Sequence, residues 1–551
     1  MKQIGFKNFR KFAGFPPLDL APITIFVGEN NAGKSTVVKG ILALSDFLNK
    51  PAAISIDVFD AFDAFDEEND TKDRAQKRKV ITQKRLQSIK FQFNTSYLAH
   101  IGTFKRALYN RADNNAITFY TKMDNLCCSY IVKGDPQDEE SVTGTLSNVN
   151  VSIDFLNVDL LFDLINDKAT VKFNPNKDYH PTEQYKKRNL YDYYSSFDEP
   201  IVFDVPISDY WSIFGRDLVG TLIEAVENAI NITLAPDNMN FKDIEGLGVL
   251  GYIGRRNGGK LKRLDISEKQ KGFLKSFSNI FSRRNKDSND EIGDRMERFN
   301  FPGAHTRSFM ARNVDIEYLY AHAVTQTVIY SAKDTNDYLS RTIHQFASQK
   351  ELEYKHLFIQ KWMKEFGIGV DYKIKSVGGE AHLVHIVNHD GEEVNLADKG
   401  MGSIQLMVLL FRLAITLPSD AMLKAFRQDR IRATTSIIII EEPEQNLHPM
   451  LQSKLADLLF ELNFKYNFRF IIETHSEYLV RRSQVIVGDK FATDEKLKGN
   501  PFKVYYFPSE GIPYDMVYTT SGLFEKKFGE GFINEAGKLH MAVLKNAQKQ
   551  K

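Results

Sequence analysis

The chain has 551 residues, beyond the size at which a single hydrophobic core stops growing, so two or three structural units are expected. Its 72 Lys and Arg offset 71 Asp and Glu, which excludes a global polycationic attraction to nucleic acid and leaves only local patches. The adjacent cysteines, Cys127 and Cys128, suit neither an ordinary disulfide nor a zinc site and read as free thiols of a reducing, cytoplasmic compartment. No apolar run approaches the roughly 20 residues that span a bilayer, and MKQIGFKNFRKF lacks the apolar core of a signal peptide.

In chain order, two short β-like runs come first, Gln3 to Phe9 and Ile23 to Val27. A Gly-containing loop and a helix-periodic stretch from Lys34 to Leu48 follow. Residues 57–73 are acidic and rich in Phe, the next stretch (QKRKVITQKRLQ) is basic, and together they read as a surface excursion. Strands resume at Ser88 to Phe93 and Ala116 to Met123. Residues 1–165 are therefore expected to form the first part of one domain. A change of character marks 166–345 as an inserted, mainly helical subdomain, tyrosine-rich at first, with an amphipathic helix at Leu218 to Ile232 and then a basic stretch. Heptads are not sustained, which argues against a long coiled-coil arm.

The final part, 346–551, alternates again. A helix is expected around Lys350 to Phe366, strands at Val370 to Val377 and His382 to Val387, a His389–Gly391 turn and a strand ending at Leu396. A loop at 397–402 leads to a helix at Ser403 to Thr416, then the strand IIIIEEPEQNLHP, a helix at Met450 to Leu462, a strand at Phe468 to Glu473 and a helix at Ser476 to Ser483. Strands and helices in alternation argue for an α/β fold built on a mostly parallel sheet covered on both faces.

GENNAGKST, residues 28–36, fits G-x-x-x-x-G-K-[ST]. Glycines let the backbone N–H groups of such a loop curl around phosphate oxygens, the lysine reaches the β- and γ-phosphates, and the serine hydroxyl ligates Mg²⁺. The loop follows a β-like run and opens a helix, the setting the motif requires. Gly28, Asn30, Asn31, Ala32, Gly33, Lys34, Ser35 and Thr36 are thus the expected ATP-binding residues, with Ser35 also on the metal. Phosphoryl transfer needs a carboxylate for Mg²⁺ and a group that orients or deprotonates water. Glu441 and Glu442 end a parallel strand at the edge where open α/β sheets bind ligands. Successive side chains point opposite ways, which assigns Glu441 to the metal and Glu442 to water. His475, in a strand-to-helix loop, is a candidate hydrogen-bond partner for the γ-phosphate; a lone histidine there is more often merely structural, but the phosphate-type loop and the double glutamate upstream reverse that balance.

GENNAGKST, DKGMGSIQ, IIIIEEPEQNLHP and ETHSEYL, in this order, resemble the ABC-type ATPase heads of the RecF, SMC and OLD-like families. The greatest resemblance is to the PtuA ATPases of Septu antiphage systems, including retron-associated ones. It covers residues 1–50 and 350–540. The resemblance implies a head with an antiparallel β subdomain. Gly400, Gly402, Ser403 and Gln405 then form a signature that contacts ATP held by another copy, and Asn446 to His448 form a D-loop. It also places Lys34, Glu442 and His475 in catalysis, suggests His100 for a Q-loop, and suggests Arg10 or Lys11 near nucleotide. The implied partners are a second copy or higher oligomer and a separate nuclease of HNH type. A RecF- or SMC-type repair ATPase is the alternative. An OLD-like nuclease is disfavoured because only about 70 residues follow the His475 helix.

For nucleic acid, DNA or retron-type RNA, residues 255–298 carry thirteen Lys and Arg against seven Asp and Glu, with Phe273, Phe277 and Phe281 interleaved. Four-residue spacing of those rings is more simply the buried face of a helix.

Overall fold

The computed structural model describes residues 2–49, 71–94, 100–123, 126–175, 199–211, 218–235, 253, 262–281, 316–319, 326–331, 333–334, 337–349, 353–419, 437–529, 532–533 and 535–549. Two compact units divide the chain. One comprises Met1–Asp19 with Lys39–Val314, the other Leu20–Val38 with Asp315–Lys551.

The first unit is built on a nine-stranded antiparallel sheet. Its strands are β1 (Gln3–Phe9), β2 (Phe12–Asp19), β4 (Lys90–Gln92), β5 (Ala116–Met123), β6 (Leu126–Lys133), β7 (Thr143–Ile153), β8 (Val158–Asp163), β9 (Lys168–Phe173) and β10 (Ile201–Pro206). From β5 through β10 each strand pairs with the next in sequence, forming a meander. β6 alternates buried and half-buried residues along LCCSYIVK, the period-2 pattern of a sheet with one face on the core. Residues 168–173 and 201–206, expected inside a mainly helical insert, are therefore strands of this sheet. Helix α2 (Leu218–Leu234) matches the expected segment but is buried almost all round, Glu227, Asn228 and Asn231 included. On helix α3 (Glu268–Phe281), Phe277 is buried, and Phe173 packs edge-on to both Phe273 and Phe277 at 4.9 and 5.1 Å. Arg255, Arg256, Arg283 and Arg284 of the basic stretch lie outside the described residues, as do residues 57–70 of the acidic one.

The second unit carries the six-stranded sheet that positions the site. Its order is β11 (Ile316–Leu319), β16 (Ile437–Glu441), β17 (Arg469–Glu473), β3 (Ile23–Gly28), β18 (Phe502–Phe507) and β19 (Tyr514–Met516). All neighbours are parallel except β18 and β19. Ile316–Leu319, expected within the insert, thus edges the parallel sheet. Apolar runs occupy β16 and β17 because both faces are covered. Ile438, Ile440, Phe470, Ile472, Ile23 and Ile25 join one core with side chains from α6 (Met401–Thr416) and α7 (Pro449–Tyr466), while Ile437, Ile439, Ile471 and Phe26 are equally buried on the alternate positions. Helices α4 (Tyr338–Ala347) and α5 (Glu353–Phe366) supply Leu339, Ile343, Ile359 and Trp362 to the same core. A four-stranded antiparallel sheet, β12 (Tyr330–Ser331), β14 (Ala381–Val387), β13 (Asp371–Val377) and β15 (Glu393–Asn395), packs Tyr372, Val384 and Ile386 there too. Helix α1 (Lys34–Asn49) leaves β3 through the glycine loop, and α8 (Glu477–Lys490) leaves β17 through His475 and Ser476.

Candidate functional site

The loop after β3 is shaped by two glycines. Gly28 adopts φ +139° and Gly33 φ +104°, a region that side chains rarely enter. At Gly28 the reason is also steric, because a Cβ would lie 2.1 Å from the Phe507 carbonyl oxygen of the adjacent strand. Asn31 is left-handed at φ +57°, which asparagine tolerates. Asn30 and Asn31 are exposed, Ala32 is buried, Ser35 is exposed and Thr36 is half-buried. Lys34 is buried and folds back over the loop, its Nζ donating to the carbonyls of Gly28 (3.0 Å) and Glu29 (2.8 Å). Burial pulls its pKa down, and the nearby Glu473, Glu442, Glu444 and Glu29 carboxylates work against that pull.

Parallel register carries three strand ends to one edge. Phe26, Glu473 and Glu441 are successive partners across β3, β17 and β16, so the two carboxylates issue on one face of neighbouring strands. The Ser35 hydroxyl donates to Glu473 Oε1 at 2.6 Å. Glu473 is only 4% exposed, and burial pushes its carboxyl up to about 7, with Glu441 and Glu442 pushing the same way and Ser35 and Lys34 opposing. Its second oxygen, Oε2, is buried with no hydrogen-bond partner among the described residues. A hydroxyl and two carboxylates form an all-oxygen donor set, the chemistry of a hard divalent cation that keeps waters and binds through phosphates.

One residue on, Glu442 leaves the strand at φ +46°. Its N–H donates to the Glu473 carbonyl at 2.7 Å, and its Oε2 accepts from the Gln445 amide. Glu442 Oε1 lies 3.9 Å from His475 Nε2. Burial and the Lys34 charge lower the His475 pKa while Glu442 raises it, and the net shift favours a neutral imidazole at pH 7. Glu444 holds the histidine loop in place, since its Oε1 accepts the His475 backbone N–H at 2.6 Å. Burial raises the Glu444 carboxyl, and its hydrogen bonds from His475 and Thr474 pull it back.

The Gly400–Gln405 segment meets these elements from α6. Gly400, at φ +81°, precedes a helix start that has no side-chain cap. A Cβ on Gly402 would lie 2.5 Å from the Asn446 carbonyl oxygen, so helix and loop touch through backbone. Gln405 donates to the carbonyls of Glu442 and Pro443, both at 3.5 Å, and accepts from Asn446 Nδ2 at 3.4 Å. Ser403 is half-buried on the same turn. His448 caps α7, accepting from the Met450 N–H. Arg10, Lys11 and His100 belong to the other unit.

Residues 1–480 match the family described as AAA ATPase domain. The chain belongs to that family. Among curated proteins none matches the chain. Solved structures similar to it include the SMC head domain from Thermotoga maritima, at 8% identity, TM-score 0.31, covering 93% of this chain and 98% of that one. Another is an Smc head domain with an extended coiled coil bound to the C-terminal domain of ScpA, from Pyrococcus furiosus, at 10% identity and TM-score 0.28, covering 99% of each chain. At such scores the fold rests on this chain's own strand order and on the family. That order puts the phosphate-type loop, the double glutamate and His475 on one sheet edge, as an ATPase domain requires.

Two carboxylates at this edge escaped the motif reading. Glu473 sits inside ETHSEYL and Glu444 inside EEPEQ. A carboxylate at an apolar strand's end was the only signal for Glu473, and Glu444 has the sequence character of one more surface charge. Glu444→Ala is expected to cost about 1–3 kcal/mol by stripping the His475 N–H of its acceptor, and to slow ATP turnover. Glu444→Gln, which keeps an acceptor oxygen, restores most of both. Thermal denaturation and a phosphate-release assay on the two variants check this.

Proposed function

We propose that this AAA ATPase domain protein binds ATP with Mg²⁺ on residues 28–36 and hydrolyses it. The observation that carries the reading is the convergence of Lys34, Ser35, Glu441, Glu442 and His475 on one edge of a parallel sheet. Backbone N–H groups of Gly28 to Thr36 and the start of α1 face the phosphates. Lys34 exchanges the Gly28 and Glu29 carbonyls for β- and γ-phosphate oxygens. Ser35 and Glu441 would hold Mg²⁺, which when bound neutralises charge on those oxygens. Glu442 orients the attacking water and takes its proton as the new P–O bond forms and the bond to the ADP oxygen breaks. Neutral His475 donates a ring N–H to the γ-phosphate, and the Glu444 contact to its backbone fixes the ring's position.

The uncapped start of α6 at Gly400, Gly402 and Ser403 suits an anion. With Gln405 engaged by its own chain's Glu442 and Pro443 carbonyls, an ATP phosphate supplied by a second copy would meet the N–H groups of this turn. The head thus acts as an ATP-sandwiched homodimer. The order of the four motifs supports a further step, in which the dimer controls a separate HNH-type nuclease subunit of a Septu-like antiphage complex. Among the described residues no helix is long and apolar enough to cross a membrane.

Glu442→Gln is expected to lower phosphate release by roughly 10²-fold or more, the scale of a lost general base, and to accumulate an ATP-bound dimer seen by light scattering. Unchanged turnover removes Glu442 from the step. Lys34→Ala is expected to abolish ATP binding in calorimetry, and normal binding there sinks the nucleotide reading. For the defence role, the protein purified from cells expressing its native operon is expected to bring down a nuclease. A recombination protein in its place would favour the repair reading.

A further inference from the structure

We propose that Glu473 is a second metal-side carboxylate of this site, holding the Ser35 hydroxyl toward the cation and sharing the cation's charge with Glu441. The proposal rests on the ATP–Mg²⁺ reading above and adds a residue that the motifs do not assign.

Strand order is the first ground. β17 lies between β3 and β16, so the carboxylate nearest the glycine loop's own strand is Glu473 and not Glu441. Ser35 donates its hydroxyl hydrogen to Glu473 Oε1 at 2.6 Å. The serine that a P-loop commits to the metal is thus aimed by β17.

Charge is the second ground. A carboxylate only 4% exposed, with Oε2 lacking any hydrogen-bond partner among the described residues, is costly unless a positive charge faces it. Lys34 is close, yet its ammonium donates to the Gly28 and Glu29 carbonyls, and on nucleotide binding it turns to phosphate. Glu441 is the register partner of Glu473 and adds repulsion. A divalent cation held by Ser35, Glu441 and Glu473 together with nucleotide would satisfy the orphaned Glu473 Oε2 and offset its charge. Among the described residues no group of three or more His, Cys, Asp or Glu is placed to hold a metal ion by itself. The protein part of the shell is then two carboxylates and a hydroxyl, completed by nucleotide and water, as Mg²⁺ prefers.

The test reads binding rather than turnover. Affinity for a non-hydrolysable ATP analogue is measured by calorimetry with EDTA and then with Mg²⁺, for the unmodified protein and for Glu473→Gln. The expected result is that the gain in affinity on adding Mg²⁺ falls roughly 10-fold in the variant, while metal-free affinity holds or rises because a negative charge near the phosphates is gone. An equal Mg²⁺ gain in both proteins overturns the assignment of Glu473. No binding by the unmodified protein under either condition overturns the ATP reading itself. Should the variant not fold, the anomalous signal of Mn²⁺ in crystals of the unmodified protein with the same analogue decides. A peak in direct or one-water contact with Glu473 supports the proposal, and a peak reached only by Ser35 and Glu441 overturns it.

Discussion

The parallel register of β16, β17 and β3 is the constraint from which the site follows. Once Ile440, Ile472 and Ile25 are aligned in the core, the residues beyond them have no freedom about where to emerge. Glu441 and Glu473 must leave the sheet side by side, and the loop after Gly28 must start beside them. Burying three apolar strands thus brings like charges together, a juxtaposition that local propensity would never select. The Glu473 carboxyl is raised chiefly by its burial at this edge, and the neighbouring Glu441 and Glu442 charges add to the rise.

Three loops are tied to one another by polar contacts laid over this edge. Glu444 reaches from the strand-end loop to the backbone of His475, and the Glu442 N–H bonds the Glu473 carbonyl. Gln405 connects α6 to the carbonyls of Glu442 and Pro443. With backbone contact at Gly402 leaving no room even for a methyl group, a shift at the start of α6 must displace the Asn446 loop. The loop that carries Glu442 is therefore coupled both to the His475 loop and to the start of α6.

Much of this was readable in the sequence because it is local. The run ITIFVGENNAGKST announces a strand, a tight loop and a helix through residue types alone, and the bounds of β1, β5 and α1 fall on or within a residue of the expected ones. What was not readable is relational. Glu473 matters because β17 lies next to β3, and no spacing along the chain encodes sheet order. The strands at 168–173 and 201–206 were available as alternation, in KATVKF and IVFDVP, yet the Tyr-rich polar stretch between them suggested a helical insert. IEYL of β11 is only four residues, too short for any period to show. Helix α2 carries Glu227 and Asn231 on faces that a sequence pattern assigns to solvent, and only tertiary packing covers them.

Gly28 also bears on the order of events during synthesis. Its strand leaves the ribosome long before its neighbours on either side, β17 and β18, which begin at Arg469 and Phe502. At ribosomal rates the wait is on the order of tens of seconds, during which Ile23, Ile25 and Val27 have no sheet to join. The carbonyl of Phe507 that fits against Gly28 arrives later still. The nucleotide loop is therefore a late product of folding, and an interrupted chain carries the motif without the pocket.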